Sequence, residues 1–88
     1  MITDLDREVM LITQEECAEV TQAISKVFRF GFLSMHNGKN NRQHLEEEIG
    51  DLCCMLDLLR EANLINWQNV IDASEKKREK LRKWSNIK

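Results

Sequence analysis

The chain has no proline and no tyrosine, and only three glycines among its 88 residues. So few turn formers exclude a strand-rich sandwich or barrel, which needs a turn every few residues, and point to long helices. No apolar run approaches the ~18 residues that a membrane-spanning helix requires, and the N-terminus lacks the layout of a signal peptide, so a soluble cytoplasmic protein is expected. The three cysteines give no disulfide framework, because the number is odd and Cys53 and Cys54 are adjacent. With His36 and His44 they also lack the paired spacing of a zinc site, and they read as packing residues. A basic excess is missing too: the net charge is −2, which argues against a nucleic-acid partner, although Lys76 to Lys88 forms a basic run.

What is present is charge and helical periodicity, with 32% of the residues charged. A chain this short has room for one domain, 1–88, with a modest core, and self-association is expected to complete it. The first helix is predicted from a Thr3 N-cap, with Asp4 and Asp6 in the first turn, to about Phe30, where Gly31 stops it. Phe32 to Asn40, containing Asn37-Gly38, reads as a loop. A second helix begins at Asn40 or Asn41 and runs to about Ala62, where Asn63 breaks the pattern; a third, capped by Asn66, spans Trp67 to about Trp84. The fold class is therefore all-α, a bundle of three main helices per chain.

Function is carried by a departure from amphipathicity. At ~100° per residue the first helix has an apolar arc of Leu5, Val9, Ile12, Val20, Ala23, Val27 and Phe30, and Glu16 and Glu19 project into its middle. In the second helix Leu45, Ile49, Leu52, Leu56 and Leu59 define a seam, broadened by Cys53, Met55 and Leu58. Glu46, Glu47, Asp57 and Glu61 fall on the solvated side, but Glu48 and Asp51 share the flank of Met55, Leu58 and Ala62. A buried carboxylate without a partner costs several kcal/mol, and like charges beside it resist joint ionisation. Four such acids are tolerated if a divalent cation neutralises them. Hard oxygen ligands suit Mg²⁺, with Mn²⁺ as a possible substitute, and Mg²⁺ commonly keeps positions for water and substrate phosphates. A di-iron bundle site would need Glu-x-x-His motifs, and the chain has none.

These acids also carry a resemblance. Glu15-Glu16-Cys17-Ala18-Glu19, a spacer, and Glu48-Ile49-Gly50-Asp51 resemble the EExxE…ExxD signature of the MazG-like all-α nucleoside triphosphate pyrophosphohydrolases. Gln43 to Leu52 is similar to that family's second-helix entry throughout, and the likeness covers roughly residues 8 to 84. It implies hydrolysis of a nucleoside triphosphate between the α and β phosphates, with Glu16, Glu19, Glu48 and Asp51 as Mg²⁺ ligands and Glu15 assisting with a water or as an outer acceptor. It implies a homo-oligomer as well, dimer or tetramer, with helices of two subunits in one bundle. Lys77-Arg78-Glu79-Lys80-Leu81 resembles the family's C-terminal lysine-containing stretch, which makes Lys77 and Lys80 the candidate phosphate contacts, although the Asn that many relatives carry there is absent.

Other residues stay open between two readings. Phe28, Phe30, Phe32, Trp67 and Trp84 either stack on a base or pack as core; His36, Asn37 and Asn41 either read base edges or decorate a surface. The competing function is a non-enzymatic helical oligomer, an adaptor or regulator that uses the apolar face of the second helix, but it leaves the inward acids unexplained.

Overall fold

Thr3 starts the first helix because its hydroxyl accepts from the Asp6 peptide N–H while the Asp6 carboxylate accepts from the Thr3 N–H, a reciprocal cap for two otherwise orphaned donors. In the computed structural model, which describes residues 1–88, this helix, α1, runs Asp4–Phe30 without interruption. Gly31 ends it at φ 86°, a left-handed conformation that a side chain disfavours, with its N–H returned to the Val27 carbonyl.

The connecting segment is more ordered than the loop expected there. Met35–His36 (β1) pairs antiparallel with Lys39–Asn40 (β2), with Met35 opposite Asn40 and His36 opposite Lys39. Asn37 and Gly38 form the two-residue turn at φ 53° and 81°, the pair of positive values that a tight hairpin turn demands and that Asn-Gly supplies most readily. Two-residue strands leave no alternating pattern to read, which is why only the turn was visible in the sequence.

Asn40, not Asn41, caps the next helix, α2 (Asn41–Glu61), in a second reciprocal arrangement with Gln43. Asn41 does something else. Its peptide N–H donates to the Ser34 carbonyl and its side-chain Nδ2 to the Gly31 carbonyl at 2.9 Å, tying the link between the helices to the start of α2. It is 4% exposed. After α2, Asn63 takes a positive φ of 58° and ends the helical run, and Asn66 caps α3 (Trp67–Trp84) by accepting from the Asn69 N–H.

α1 and α2 pack side by side and run antiparallel, since Gly31 meets Asn41 at one end while Glu16 and Glu19 meet Glu48 and Asp51 midway. α3 makes no comparable packing against either helix; its first residue is held by the Arg60 guanidinium, 5.1 Å over the Trp67 ring. The result is a layer one helix thick. The principal extents are 45 × 36 × 14 Å, and 14 Å is little more than the ~10–12 Å diameter of one helix. The radius of gyration, 15.9 Å, exceeds the ~12 Å of a compact chain of this length. Only Ala23, Met55 and Asn41 are buried, while Ile24, Phe28, Ile49, Leu58, Val70 and Ile71 remain exposed. Ile49, expected in the seam, is 44% exposed because within one chain nothing covers that side of α2. No helix is long and apolar enough to cross a membrane.

Candidate metal centre

The two buried apolar side chains locate the acids. Ala23 lies one turn beyond Glu19 on α1, and Met55 one turn beyond Asp51 on α2. Glu16 and Glu48 are half-buried at the same seam, whereas Glu19 and Asp51 sit at its mouth and are exposed. One carboxylate oxygen from each of the four lies within 4.8 Å of the others. Two oxygens on opposite sides of a Mg²⁺ stand about 4.2 Å apart, so this spacing needs only a small closure around an ion of that size.

Electrostatics point the same way. Oε2 of Glu16 and Oε2 of Glu48 are shielded from solvent with no hydrogen-bond partner, and no lysine or arginine forms an ion pair with any of the four acids. Desolvation raises the pKa of Glu16, helped by the charges of Glu19, Asp51 and Glu15. Glu48 is pushed up to about 7, first by the Glu19 carboxyl beside it, which favours a proton held between the two, then by desolvation and by the charges of Glu19, Asp51 and Glu16. Such a cluster lacks positive charge, and a hard divalent cation supplies what it lacks.

A family model for the MazG nucleotide pyrophosphohydrolase domain matches residues 6–86. The chain belongs to the MazG family. The match spans both acid pairs, the hairpin and the whole of α3. It agrees with the all-α fold and gives the chain a place among nucleotide pyrophosphohydrolases. No curated protein and no solved structure matches the chain significantly.

Within this MazG chain the remaining candidates are spread unevenly. Glu15 is exposed and close enough to Glu16 to raise its pKa. Lys77 and Lys80 lie far along α3; Lys77 borders a hollow with Ser74, Leu81 and Ile87, and neither lysine borders the space beside Glu19 and Glu48. A Cβ at Gly50 would meet nothing within 4 Å, and nothing in the single chain explains that glycine. The space beside Glu19 and Glu48 is instead walled by Gln22, Lys26, Asn41 and His44. His44 is held there by its Nε2, 3.1 Å from the His36 carbonyl. Nothing in the sequence pattern singles out Lys26. It lies seven residues after Glu19, two turns along the same face, where a lysine ordinarily reads as a solvated edge.

Proposed function

We infer that the protein is a Mg²⁺-dependent nucleoside triphosphate pyrophosphohydrolase that cleaves between the α and β phosphates to give a nucleoside monophosphate and pyrophosphate. One observation carries this reading: four carboxylates from two helices converge within 4.8 Å, two of them with shielded, partnerless oxygens. Membership of the MazG family supplies the substrate class. Glu16, Glu19, Glu48 and Asp51 are the proposed ligands. A bound Mg²⁺, or Mn²⁺ in its place, would neutralise phosphate charge and lower the pKa of a coordinated water.

The chain's own groups do the rest. Glu16 and Glu48, fixed in the α1–α2 seam, set the position of the site, while Glu19 and Asp51 at the mouth leave room for a substrate to approach. Glu15 orients the attacking water or accepts its proton. That water attacks the α-phosphorus, and the bond to the oxygen bridging to the β-phosphorus breaks, leaving pyrophosphate. Lys77 and Lys80 stand away from the acids within one chain, and they are proposed to meet the phosphates from α3 of a neighbouring subunit of the assembly.

The whole chain acts as one domain in a homo-oligomer, dimer or tetramer, and a cytoplasmic setting suits a nucleotide substrate. Support for assembly comes from the single helical layer, 14 Å deep, whose exposed Ile24, Phe28, Ile49 and Leu58 need a second layer to leave water. An adaptor would explain those side chains equally well but gives the converging acids no purpose. The test is a panel of canonical and modified triphosphates with Mg²⁺, scoring pyrophosphate against orthophosphate. Pyrophosphate as the first product is expected; orthophosphate first, or no turnover of any triphosphate, refutes the reading. Light scattering on the same sample checks the assembly.

A further inference from the structure

Two hollows flank the C-terminal half of α1, the inner one against the first turns of α2 and the outer one against the hairpin, and they share a wall. The inner one, about 240 Å³, opens beside Glu19 and Glu48. The outer one, about 330 Å³, is bounded by Phe30, Ser34, Met35 and His36. Lys26 and Asn41 border both. Seven residues separate Glu19 from Lys26, a rise of about 10 Å along α1, so the hollows lead away from the carboxylates toward the helix end. A triphosphate with its phosphates at the acids would extend its nucleoside in that direction. Phe30 and Met35, 61% and 64% exposed, offer apolar surface of the kind that lies against the faces of a base.

Asn41 presents a fixed amide where the two hollows meet. Its amide is fixed, because Nδ2 donates to the Gly31 carbonyl at 2.9 Å and the flipped amide would set oxygen against oxygen. Oδ1 is therefore the half of the amide left for the hollow. The residue is 4% exposed and tied by its backbone as well, so it cannot swing away to suit a different ligand. A fixed acceptor pairs with a donor and repels another acceptor. Cytosine N4 and adenine N6 are amino donors; uracil and thymine carry a carbonyl at the position equivalent to N4, and guanine and hypoxanthine at the position equivalent to N6.

We propose that the outer hollow is the nucleoside subsite, where Asn41 Oδ1 accepts from the amino group of a 4-aminopyrimidine or 6-aminopurine, and Lys26 at the shared wall neutralises the phosphates. The proposal rests on the triphosphate reading above and adds base selection and a second source of positive charge to it.

Calorimetry with non-hydrolysable α,β-methylene triphosphates and Mg²⁺ tests it, using the amino/keto pairs of cytosine with uracil and adenine with hypoxanthine. The amino member of each pair should bind about tenfold more tightly, the cost of facing a buried acceptor with a second acceptor. Lys26→Met should weaken all four ligands by about tenfold while keeping the amino preference. Asn41→Leu should erase the preference. Because that change also cuts the tie to Gly31, the Asn41 side-chain amide signals of the unaltered protein are followed by NMR, and they should shift with amino ligands. Equal affinity within each pair, or Asn41 signals unmoved by every ligand, overturns the subsite. Pyrophosphate release from the natural triphosphates separates the two readings. Release without discrimination sinks the subsite alone; discriminating binding without release supports the subsite and sinks the reaction.

Discussion

Glu47 and Glu48 are neighbours on one turn of α2 and titrate in opposite directions. Glu47 faces out, and a side-chain hydrogen bond from Lys39, reinforced by that lysine's charge and that of His44, lowers its pKa. Glu48 faces α1, and a second carboxyl, desolvation and three acidic neighbours hold it up to about 7. The residue type is the same and the backbone is the same. The difference is whether the helix face meets water and a cation or meets another acid, and it separates an ordinary surface charge from one that waits for a ligand.

The largest test of that difference is turnover. Glu48→Gln removes a charged oxygen at nearly constant volume and should cut pyrophosphate release at saturating Mg²⁺ by about 100-fold or more. Glu47→Gln should change it less than about threefold. Equal losses in the two variants would dissolve the distinction. Melting comes next. Mg²⁺ at a hundred times its Kd adds about 2.7 kcal/mol to the native state, about 10 °C or more for a domain of this size. Glu47→Gln should keep that shift and Glu48→Gln should lose most of it, as read by calorimetry against a chelated control.

A smaller effect appears in the pH dependence of the metal-free protein. Glu48 has a folded pKa of about 7 against an ordinary 4.5, so between these values the folded chain binds more protons than the unfolded one. Its contribution is therefore greatest below about pH 4.5 and is lost as the pH rises toward 7. Glu47, with a lowered folded pKa, contributes above its ordinary value, and that contribution is lost as the pH falls. Denaturation between pH 5 and 8 should show stability declining with pH; Glu48→Gln should flatten the slope and Glu47→Gln should leave it. Mg²⁺ affinity should move the other way and rise through about pH 7, because the metal must displace a proton.

The helices were legible because their ends are marked by side-chain chemistry: Thr3 with Asp6, Gly31, and Asn66 each act locally, within a turn of the backbone they serve. The direction of the acids was legible too, since a 100° advance sets Glu16, Glu19, Glu48 and Asp51 against apolar neighbours whatever the partner helix does. What depends on two segments meeting was not. Asn40 and Asn41 are equal candidates for a cap until the Gly31 carbonyl arrives beside one of them. Lys26 is an unremarkable lysine until Asn41 and His44 close the space beside it. Ile49 belongs to an apolar seam by periodicity, yet its exposure is decided by a surface that a single layer of helices does not contain.

The finest version of the comparison sets two aspartates of α2 against each other. Asp51 lies in the acid cluster and raises the pKa of both Glu16 and Glu48; Asp57 lies on the outer face, 3.4 Å from the Arg60 guanidinium. Asp51→Ala removes a repelling charge and should raise the melting temperature of the metal-free protein by about 2–5 °C, while reducing the gain on adding Mg²⁺. Asp57→Ala loses only an exposed ion pair, and its melting temperature should stay within about 1–2 °C of the starting value. If Asp51→Ala instead melted lower without metal, Asp51 would be a satisfied structural acceptor. The repulsion attributed to the inner face would then have to come from the three glutamates alone.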